Sequence, residues 1–247
     1  MPFTFFAHQT IVIPLKSRWP RWFDGTALCV GSMAPDLAYA LNDTAWQITT
    51  HTLARQVTFT LPLAVALTLV WRHVVAAPLG GVLPGRTGAE VRALARARRP
   101  LWMTAVGAVL GGLAHVFMDG FTHGGGWAVK RLALLNVFVR IDGHVYVVHH
   151  WLQLLGHTLG TAIGFAMIAM LIARRRFSAW SPGPDAPVIR HPAAMWSLIV
   201  LGSVAGVILA ARVPGDPPTA IIRAAWAAFA GLLVGALVSR LLARRAR

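Results

Sequence analysis

Two carboxylates lie where this chain has almost no other charge. Asp36 falls inside the apolar stretch 26–41, and Asp119 closes an apolar run that begins at Leu101. An unpaired carboxylate in such surroundings is costly, so each is expected to have a partner. Histidines are the available partners, because several of them fall near the ends of the same apolar segments. We therefore predict a metal site with ligands drawn from His8, Asp36, His51, His115, Asp119 and His123.

The pair formed by His115 and Asp119 is the strongest local signal. The two residues are four positions apart, which places them on one face of a helix, where both can reach a single ion. Imidazole and carboxylate ligands suit zinc, although manganese and iron also accept them. A buried His–Asp hydrogen bond that joins two helices is the alternative interpretation. The glycines at 124–126 should end this helix directly after His123.

The composition places these residues in a membrane protein. The chain of 247 residues is 56% hydrophobic and 13% charged, whereas a soluble domain is about 45–50% apolar and about 25% charged. The net charge of +15 does not indicate nucleic-acid binding, because the arginines cluster at the ends of apolar runs. Cys29 is the only cysteine, which excludes an internal disulfide and a cysteine-based metal site. We predict an all-α, polytopic integral membrane helix bundle.

Five apolar runs are long enough to cross a bilayer as helices. The shorter stretch 26–41 is interrupted by Pro35 and Asp36, so we expect a buried or re-entrant helix there that protein covers. The bundle is then expected to hold about five to six membrane-embedded helices in addition to this N-terminal one. The five runs are 57–77, 101–119, 149–173, 193–211 and 220–243.

The distribution of arginine predicts the orientation in the membrane. The links after the first and third runs and the C-terminal tail are rich in arginine, which predicts that all three are cytoplasmic. The candidate ligands then collect at the outer face. We expect a multi-pass protein of the bacterial inner membrane with a cytoplasmic C-terminus. Its predicted parts are a metal-site-bearing helical domain (1–173), a cytoplasmic linker (174–192) and a C-terminal transmembrane helix pair (193–247).

Several motifs resemble those of a bacterial membrane family, domain-of-unknown-function family 4184. The resemblance covers roughly residues 1–173 and implies no known activity. That family is in turn distantly similar to membrane-bound metal-dependent hydrolases and to the zinc-dependent phospholipase C and P1 nuclease group. The motifs are Met1–Thr4 followed by His8, then Gly31–Asp36, His51, the run from His115 to His123, and Gly125–Trp127.

The resemblance to the zinc-dependent group implies an order of ligands along the chain. By that order His8, Asp36, His51, His115, Asp119 and His123 match the first six ligands. The last pair of the pattern, His-x-x-x-Glu, is not matched, because Gln153 stands four residues after His149. We therefore expect one or two divalent ions, zinc by resemblance, and no organic cofactor. The additional candidate ligands are His149, Gln153 and His157.

Three classes of function follow from these observations. The favoured one is metal-dependent hydrolysis of a phosphoester or lipid-type substrate at the outer membrane face, with Asp36 or Asp119 as catalytic candidates that bridge ions or orient water. The first alternative is a non-catalytic membrane protein with a structural metal or a His–Asp polar cluster, which the glutamine at 153 supports. The second is a transporter, against which the uncharged run 193–211 argues.

Membrane lipid is the expected partner, and nucleic acid is not. Arg92, Arg96 and Arg99 lie near one face of a short segment before Pro100. A solvated face that sets the topology is the simpler interpretation of these arginines, and contact with anionic lipid is the alternative. Glycines recur at four-residue spacing in several runs, which predicts close helix packing or, through the same faces, a homodimer.

Overall fold

The chain folds into a helical bundle with one small β-hairpin, which confirms the predicted all-α class. The structure is a computed structural model, and it describes residues 5–212 and 215–245. The motif Met1–Thr4 lies outside the described residues. The helices are α1 (Phe5–Arg18), α2 (Gly25–Leu37), α3 (Leu53–Val82), α4 (Gly85–Leu94), α5 (Leu101–Thr122), α6 (Trp127–Arg131), α7 (Val148–Ala173), α8 (Arg176–Trp180), α9 (Pro192–Arg212) and α10 (Pro217–Arg245); the strands are β1 (Phe138–Ile141) and β2 (His144–Val147).

Five of the described helices, α3, α5, α7, α9 and α10, are long and apolar enough to cross a membrane. Each contains one of the five predicted runs. Much of their apolar surface faces outward, and on α9 the side chains of Val200, Leu201 and Val207 are 58%, 64% and 63% exposed. Exposed aliphatic side chains along a long helix suit contact with lipid. The prediction of a polytopic membrane bundle is therefore confirmed.

Helices α1 and α2 form an antiparallel hairpin inside this bundle. Gln9 donates a hydrogen bond to the sulfur of Met33 (3.1 Å), and the stem of Lys16 packs against Gly25. α2 runs parallel to α5 and is buried along much of its length. It tightens into a 3₁₀ turn at Ala38–Leu41. The stretch 26–41 thus forms the protein-covered helix that its short length and internal proline predicted.

Glycines bring α2 and α5 into direct backbone contact. A Cβ added at Gly31 would lie 2.3 Å from the carbonyl oxygen of Ala108, and one at Gly111 would lie 2.3 Å from that of Leu28. The glycines at 202 and 206 of α9 face α10 in the same way. The four-residue glycine spacing therefore serves packing within the chain. A homodimer through such faces stays a prediction.

The bundle has two chemically different ends. We call the end where α5 begins, beside Arg98 and Arg99, the arginine end, and the end where α5 finishes, at His123, the site end. Near the arginine end, Asp24 caps α2 and accepts hydrogen bonds from Arg72 (2.6 Å) and from the hydroxyl of Thr104 (2.7 Å). All three side chains are buried. This ion pair fixes α2 to α3 and α5 at that end.

The β-hairpin lies between α6 and α7. Its turn is Asp142–Gly143, both with positive φ (48° and 81°), and its register pairs Phe138 with Val147. Asp-Gly between alternating strands favours such a two-residue turn, because glycine and aspartate accept this backbone conformation. Apolar side chains on the hairpin are exposed, Phe138 at 71% and Val145 at 54%.

Candidate metal centre

Four side chains from three segments of the fold point their ligand atoms at one place. α2 supplies Asp36, the segment before α3 supplies His51, and α5 supplies His115 and Asp119, so that one ligand atom from each lies within 4.8 Å of the others. The two Nε2 atoms of His51 and His115 are 3.1 Å apart. Asp36 Oδ1 lies 3.6 Å and 3.4 Å from these two nitrogens, and Asp119 Oδ2 lies 3.1 Å and 3.2 Å from them.

These separations match the ligand shell of a tetrahedral ion. Ligand atoms at about 2.0–2.1 Å from a zinc ion in tetrahedral geometry are about 3.3–3.4 Å from one another. The five separations that involve a ring nitrogen run from 3.1 Å to 3.6 Å. The residues present therefore fit a cation with two imidazole and two carboxylate ligands. The His115–Asp119 pair does lie on one helix face, as its spacing predicted.

A backbone carbonyl sets the orientation of His115. The Nδ1 atom of His115 is 2.9 Å from the carbonyl oxygen of Ser32 on the adjacent α2. Because a carbonyl only accepts, Nδ1 carries a hydrogen, and Nε2 is the ring atom that faces Asp36 and Asp119. A hydrogen bond of this kind holds metal-ligating histidines in place in many proteins. His115 is completely buried, so its ring has no alternative partner in solvent.

A buried hydroxyl plays the same role for His51. Thr50 donates to the carbonyl oxygen of Pro35 (2.8 Å), and its oxygen lies 3.3 Å from Nδ1 of His51. The hydroxyl oxygen is then the acceptor for the Nδ1 hydrogen, which leaves Nε2 of His51 free to ligate. The backbone at this point is held by Gln56, whose amide donates to the carbonyl oxygen of Thr50 (2.8 Å). Gln56 begins a π-helical turn in α3, an irregularity that is frequent at functional sites.

The second carboxylate oxygen of Asp119 faces two further predicted ligands. Asp119 Oδ1 lies 3.7 Å from Nε2 of His8 and 3.7 Å from Nδ1 of His123. The ring of His8 also packs against that of His115 at a tilt of 32°, with centroids 3.9 Å apart. His8 and His123 therefore lie beside the four-residue cluster, on the other side of Asp119. A second ion would find one oxygen and two nitrogens there.

The three additional candidates lie outside the four-residue cluster. Gln153 places its amide nitrogen 3.1 Å from Nε2 of His123, and Nδ1 of His149 is 3.0 Å from the carbonyl oxygen of Leu135. His157 is buried, and neither ring nitrogen has a hydrogen-bond partner among the described residues. Its π-helical turn packs on α1, the helix that carries His8.

The cluster is buried on one side and open on the other. The side chains of His8, Asp36 and His115 are at most 6% exposed, whereas that of His51 is 27% and that of His123 is 42% exposed. Burial favours the neutral imidazole of His51, but the carboxylates of Asp119 and Asp36 outweigh this effect and raise the pKa of His51. The cluster therefore favours a cation. A cation can reach it from the side of His51, because that side chain is partly exposed.

Sequence reasoning missed the residues that support the ligands. Ser32 acts through its backbone, so no property of its side chain indicates the contact with His115. Thr50 directly precedes His51, and a threonine beside a candidate ligand is a signal that could have been used. Tyr39 stacks on the ring of His51, with centroids 6.0 Å apart. Only the tertiary fold brings it there.

The comparisons with known proteins identify a family and nothing beyond it. A family model described as a domain of unknown function, DUF4184, matches residues 1–242. This match extends past residue 173, where the resemblance noted from the sequence ends, and includes most of α10. Neither a curated protein nor a solved structure matches the chain, so the more distant similarity to metal-dependent hydrolases stays a prediction. The chain is a member of the DUF4184 family, with membrane-type helices and a His/Asp cluster that could hold a metal ion.

Proposed function

We propose that the protein is a membrane-embedded hydrolase that depends on a divalent cation of the zinc type. The observation that carries the proposal is the convergence of two imidazole nitrogens and two carboxylate oxygens within 4.8 Å of one another. Both histidines are held by groups that accept their other ring hydrogen. Four acceptors that face one another in a largely buried place repel unless a cation or shared protons lie among them.

Some of these side chains would hold the ion, and others would act on the water. Asp36, His51, His115 and Asp119 would hold one ion, and a catalytic role requires that this ion also take a water as a further ligand. A bound divalent cation supplies Lewis acidity, which acidifies water and neutralises charge on a phosphoryl oxygen. The Oδ1 atom of Asp119 would accept a hydrogen bond from an attacking water and orient it. His8 and His123, both near this oxygen, would hold a second ion or steady the same water.

The proposed substrate is a phosphoester that belongs to a lipid or is linked to one. The accessible side of the cluster is at the site end of the bundle, where the exposed apolar hairpin also lies. Apolar side chains beside a polar site suit a substrate that stays in the membrane surface while its head group reaches the cluster. The arginine distribution assigns this end to the outer face of the bacterial inner membrane as part of the same proposal.

Metal content is the first test. Protein purified in detergent and dialysed against metal-free buffer should retain at least one equivalent of zinc, manganese or iron by elemental analysis. His115→Ala should lose it, because the other ligands cannot close the shell. His144→Ala is the matched control, since His144 lies in the exposed hairpin. Equal metal in wild type and His115→Ala, or none in either, would overturn the proposed site.

Hydrolysis is the second test. Metal-loaded protein in bilayers is given a panel of phosphomonoesters, phosphodiesters and phospholipids, and release of phosphate or head group is measured. Asp119→Asn should abolish any activity found, whereas His144→Ala should keep it. Activity that survives Asp119→Asn would mean that hydrolysis does not require Asp119 and takes place at another site.

A structural metal in a non-catalytic protein is the second candidate. Gln153 favours it, because its amide lies against His123 at the place where the related zinc pattern has a carboxylate. In that case chelation should lower the melting temperature of the protein by several degrees, and no member of the substrate panel should turn over.

A further inference from the structure

A large apolar cavity lies behind the α1–α2 hairpin, on the side away from α5. Its volume is about 560 Å³, within the range of ligand-binding pockets. Cys29 and Met33 of α2 form one wall, while Leu67 of α3, Ile168 of α7 and Phe229 of α10 contribute others. The cavity reaches from beside Gln9, next to the metal cluster, down to the arginine end. Apolar walls of this kind favour a ligand with a hydrocarbon chain.

Two cations close the cavity at the arginine end. Lys16 and Arg99 both line it, and neither forms an ion pair with any described residue. Lys16 is only 6% exposed, and its ammonium donates to the carbonyl oxygens of Pro20 (2.6 Å) and Phe23 (2.8 Å). Asp24 also lines the cavity, but its charge is matched by Arg72. The closed end therefore carries positive charge without a carboxylate to balance it.

A second cavity continues from this end toward the surface. Its volume is about 500 Å³, and it shares Arg99, Trp180 and Ser181 with the first. It adds the exposed side chains of Arg21 and Arg98. Three arginines thus line this outer chamber, which adjoins the apolar cavity. The two chambers together complement the two parts of an anionic lipid. The arginines suit its head group, and the apolar walls suit its hydrocarbon chain.

We propose that these two chambers bind one anionic glycerophospholipid, with an acyl chain in the apolar cavity and the phosphate against Arg21, Arg98 and Arg99. Arg99 already donates to the carbonyl oxygens of Pro20 and Trp180, but a neutral lipid would leave Arg21 and Arg98 without a counter-charge. A soluble anion would leave the apolar walls empty. The site is separate from the proposed metal centre, which lies on the face of α2 that packs against α5. The binding of lipid here does not depend on hydrolysis.

Direct titration tests the head-group half of this site. Delipidated protein in detergent is titrated with phosphatidylglycerol and with phosphatidylcholine of the same chains, and native mass spectrometry counts bound lipid. Phosphatidylglycerol should bind at one equivalent, and Arg21→Gln/Arg98→Gln should weaken it by about thirtyfold, as expected for the loss of two cation contacts. Arg244→Gln/Arg245→Gln is the matched control, because these exposed arginines lie on α10 away from both chambers.

The apolar half needs its own variant. Ala97 lines the large cavity, so Ala97→Trp should fill it and reduce phosphatidylglycerol binding, whereas Ala95→Trp should not. Equal affinity for the two lipids in wild type would overturn the proposal. So would glycerol phosphate binding as tightly as the whole lipid, which would mean a site for a soluble anion, or unchanged binding in Arg21→Gln/Arg98→Gln.

Discussion

The orientation of His51 depends on the hydroxyl group of Thr50, a residue that does not itself face the ion site. Its oxygen is the only described acceptor for Nδ1 of His51, and its hydrogen is held by Pro35. Thr50→Val removes both contacts while keeping the shape of the side chain. We predict a 10–100-fold loss of zinc affinity, the usual effect of removing a group that holds a ligand.

Competition with a fluorescent zinc indicator measures this loss. Thr49→Val is the matched control, because Thr49 is the exposed neighbour of the buried Thr50. Wild-type affinity in Thr50→Val would mean that His51 is not a ligand or is held in another way.

At the scale of single residues, the sequence could reveal part of the site. His115 and Asp119 share a helix, so their spacing alone places them together. Asp36 and His51 belong to other segments, and they were joined to that pair by their positions in or beside apolar runs, by the predicted topology and by the motif resemblance. The carbonyl of Ser32 could not be predicted at all, because every residue has one and its position depends on how α2 packs against α5.

The contact between α2 and α5 positions the ligands, and it allows no extra atoms. A Cβ at Gly111 would lie 2.3 Å from the carbonyl oxygen of Leu28 and 2.7 Å from the amide nitrogen of Ser32. Gly111→Ala must push the helices apart, which moves Asp36 away from His115. We predict a loss of about 1–3 kcal/mol in stability, together with weaker metal binding.

Thermal unfolding in detergent and zinc titration check the two effects. Gly156→Ala is the control, since a Cβ there meets nothing within 4 Å, and alanine is the better helix former. If Gly111→Ala binds zinc like wild type, the helix contact does not set the ligand geometry.

The buried pair of Asp24 and Arg72 anchors the other end of α2. Arg72→Met would leave the Asp24 carboxylate buried with only Thr104 and the helix amide of Ala27 as partners. Removing one member of a buried ion pair typically costs about 3–5 kcal/mol. We predict a large drop in melting temperature for Arg72→Met and almost none for Arg176→Met, which alters an exposed arginine. Similar melting temperatures for the two variants would contradict this role.

At the scale of elements, hydropathy identified all five long helices, because burial in lipid requires a continuous apolar run. It could not pair Asp24 with Arg72, which are 48 positions apart. The β-hairpin was also missed, although Asp142–Gly143 between alternating apolar residues is a strong local turn signal.

The orientation of the whole molecule is open to a direct labelling experiment. In a Cys29→Ala background, His144→Cys places a thiol in the hairpin at the site end, and Arg98→Cys places one at the arginine end. We predict that a membrane-impermeant maleimide labels only His144→Cys in intact spheroplasts, because arginine-rich segments stay in the cytoplasm. Both should label after lysis. The reverse pattern in intact spheroplasts would put the metal cluster on the cytoplasmic side.

For the whole molecule, composition and arginine clustering were enough to predict a membrane bundle with two unlike ends. They did not indicate which helices contact one another. The prediction of separate parts at 1–173, 174–192 and 193–247 stays a prediction, and contacts cross the last boundary. Arg223 of α10 donates to the carbonyl oxygens of Ala40 and Asn42, and Trp226 donates to that of Leu37.

Asp24 and Asp36 stand at opposite ends of one buried helix, about 18 Å apart at the helical rise of about 1.5 Å per residue. The first pairs with Arg72, and the second belongs to the candidate metal cluster. Because α2 is one continuous buried helix, a shift of the Asp24–Arg72 ion pair at its start is expected to move Asp36 at its end. Asp24 and Lys16 both line the apolar cavity, so a ligand that fills this cavity is expected to act on the end of α2 that lies opposite the candidate metal cluster.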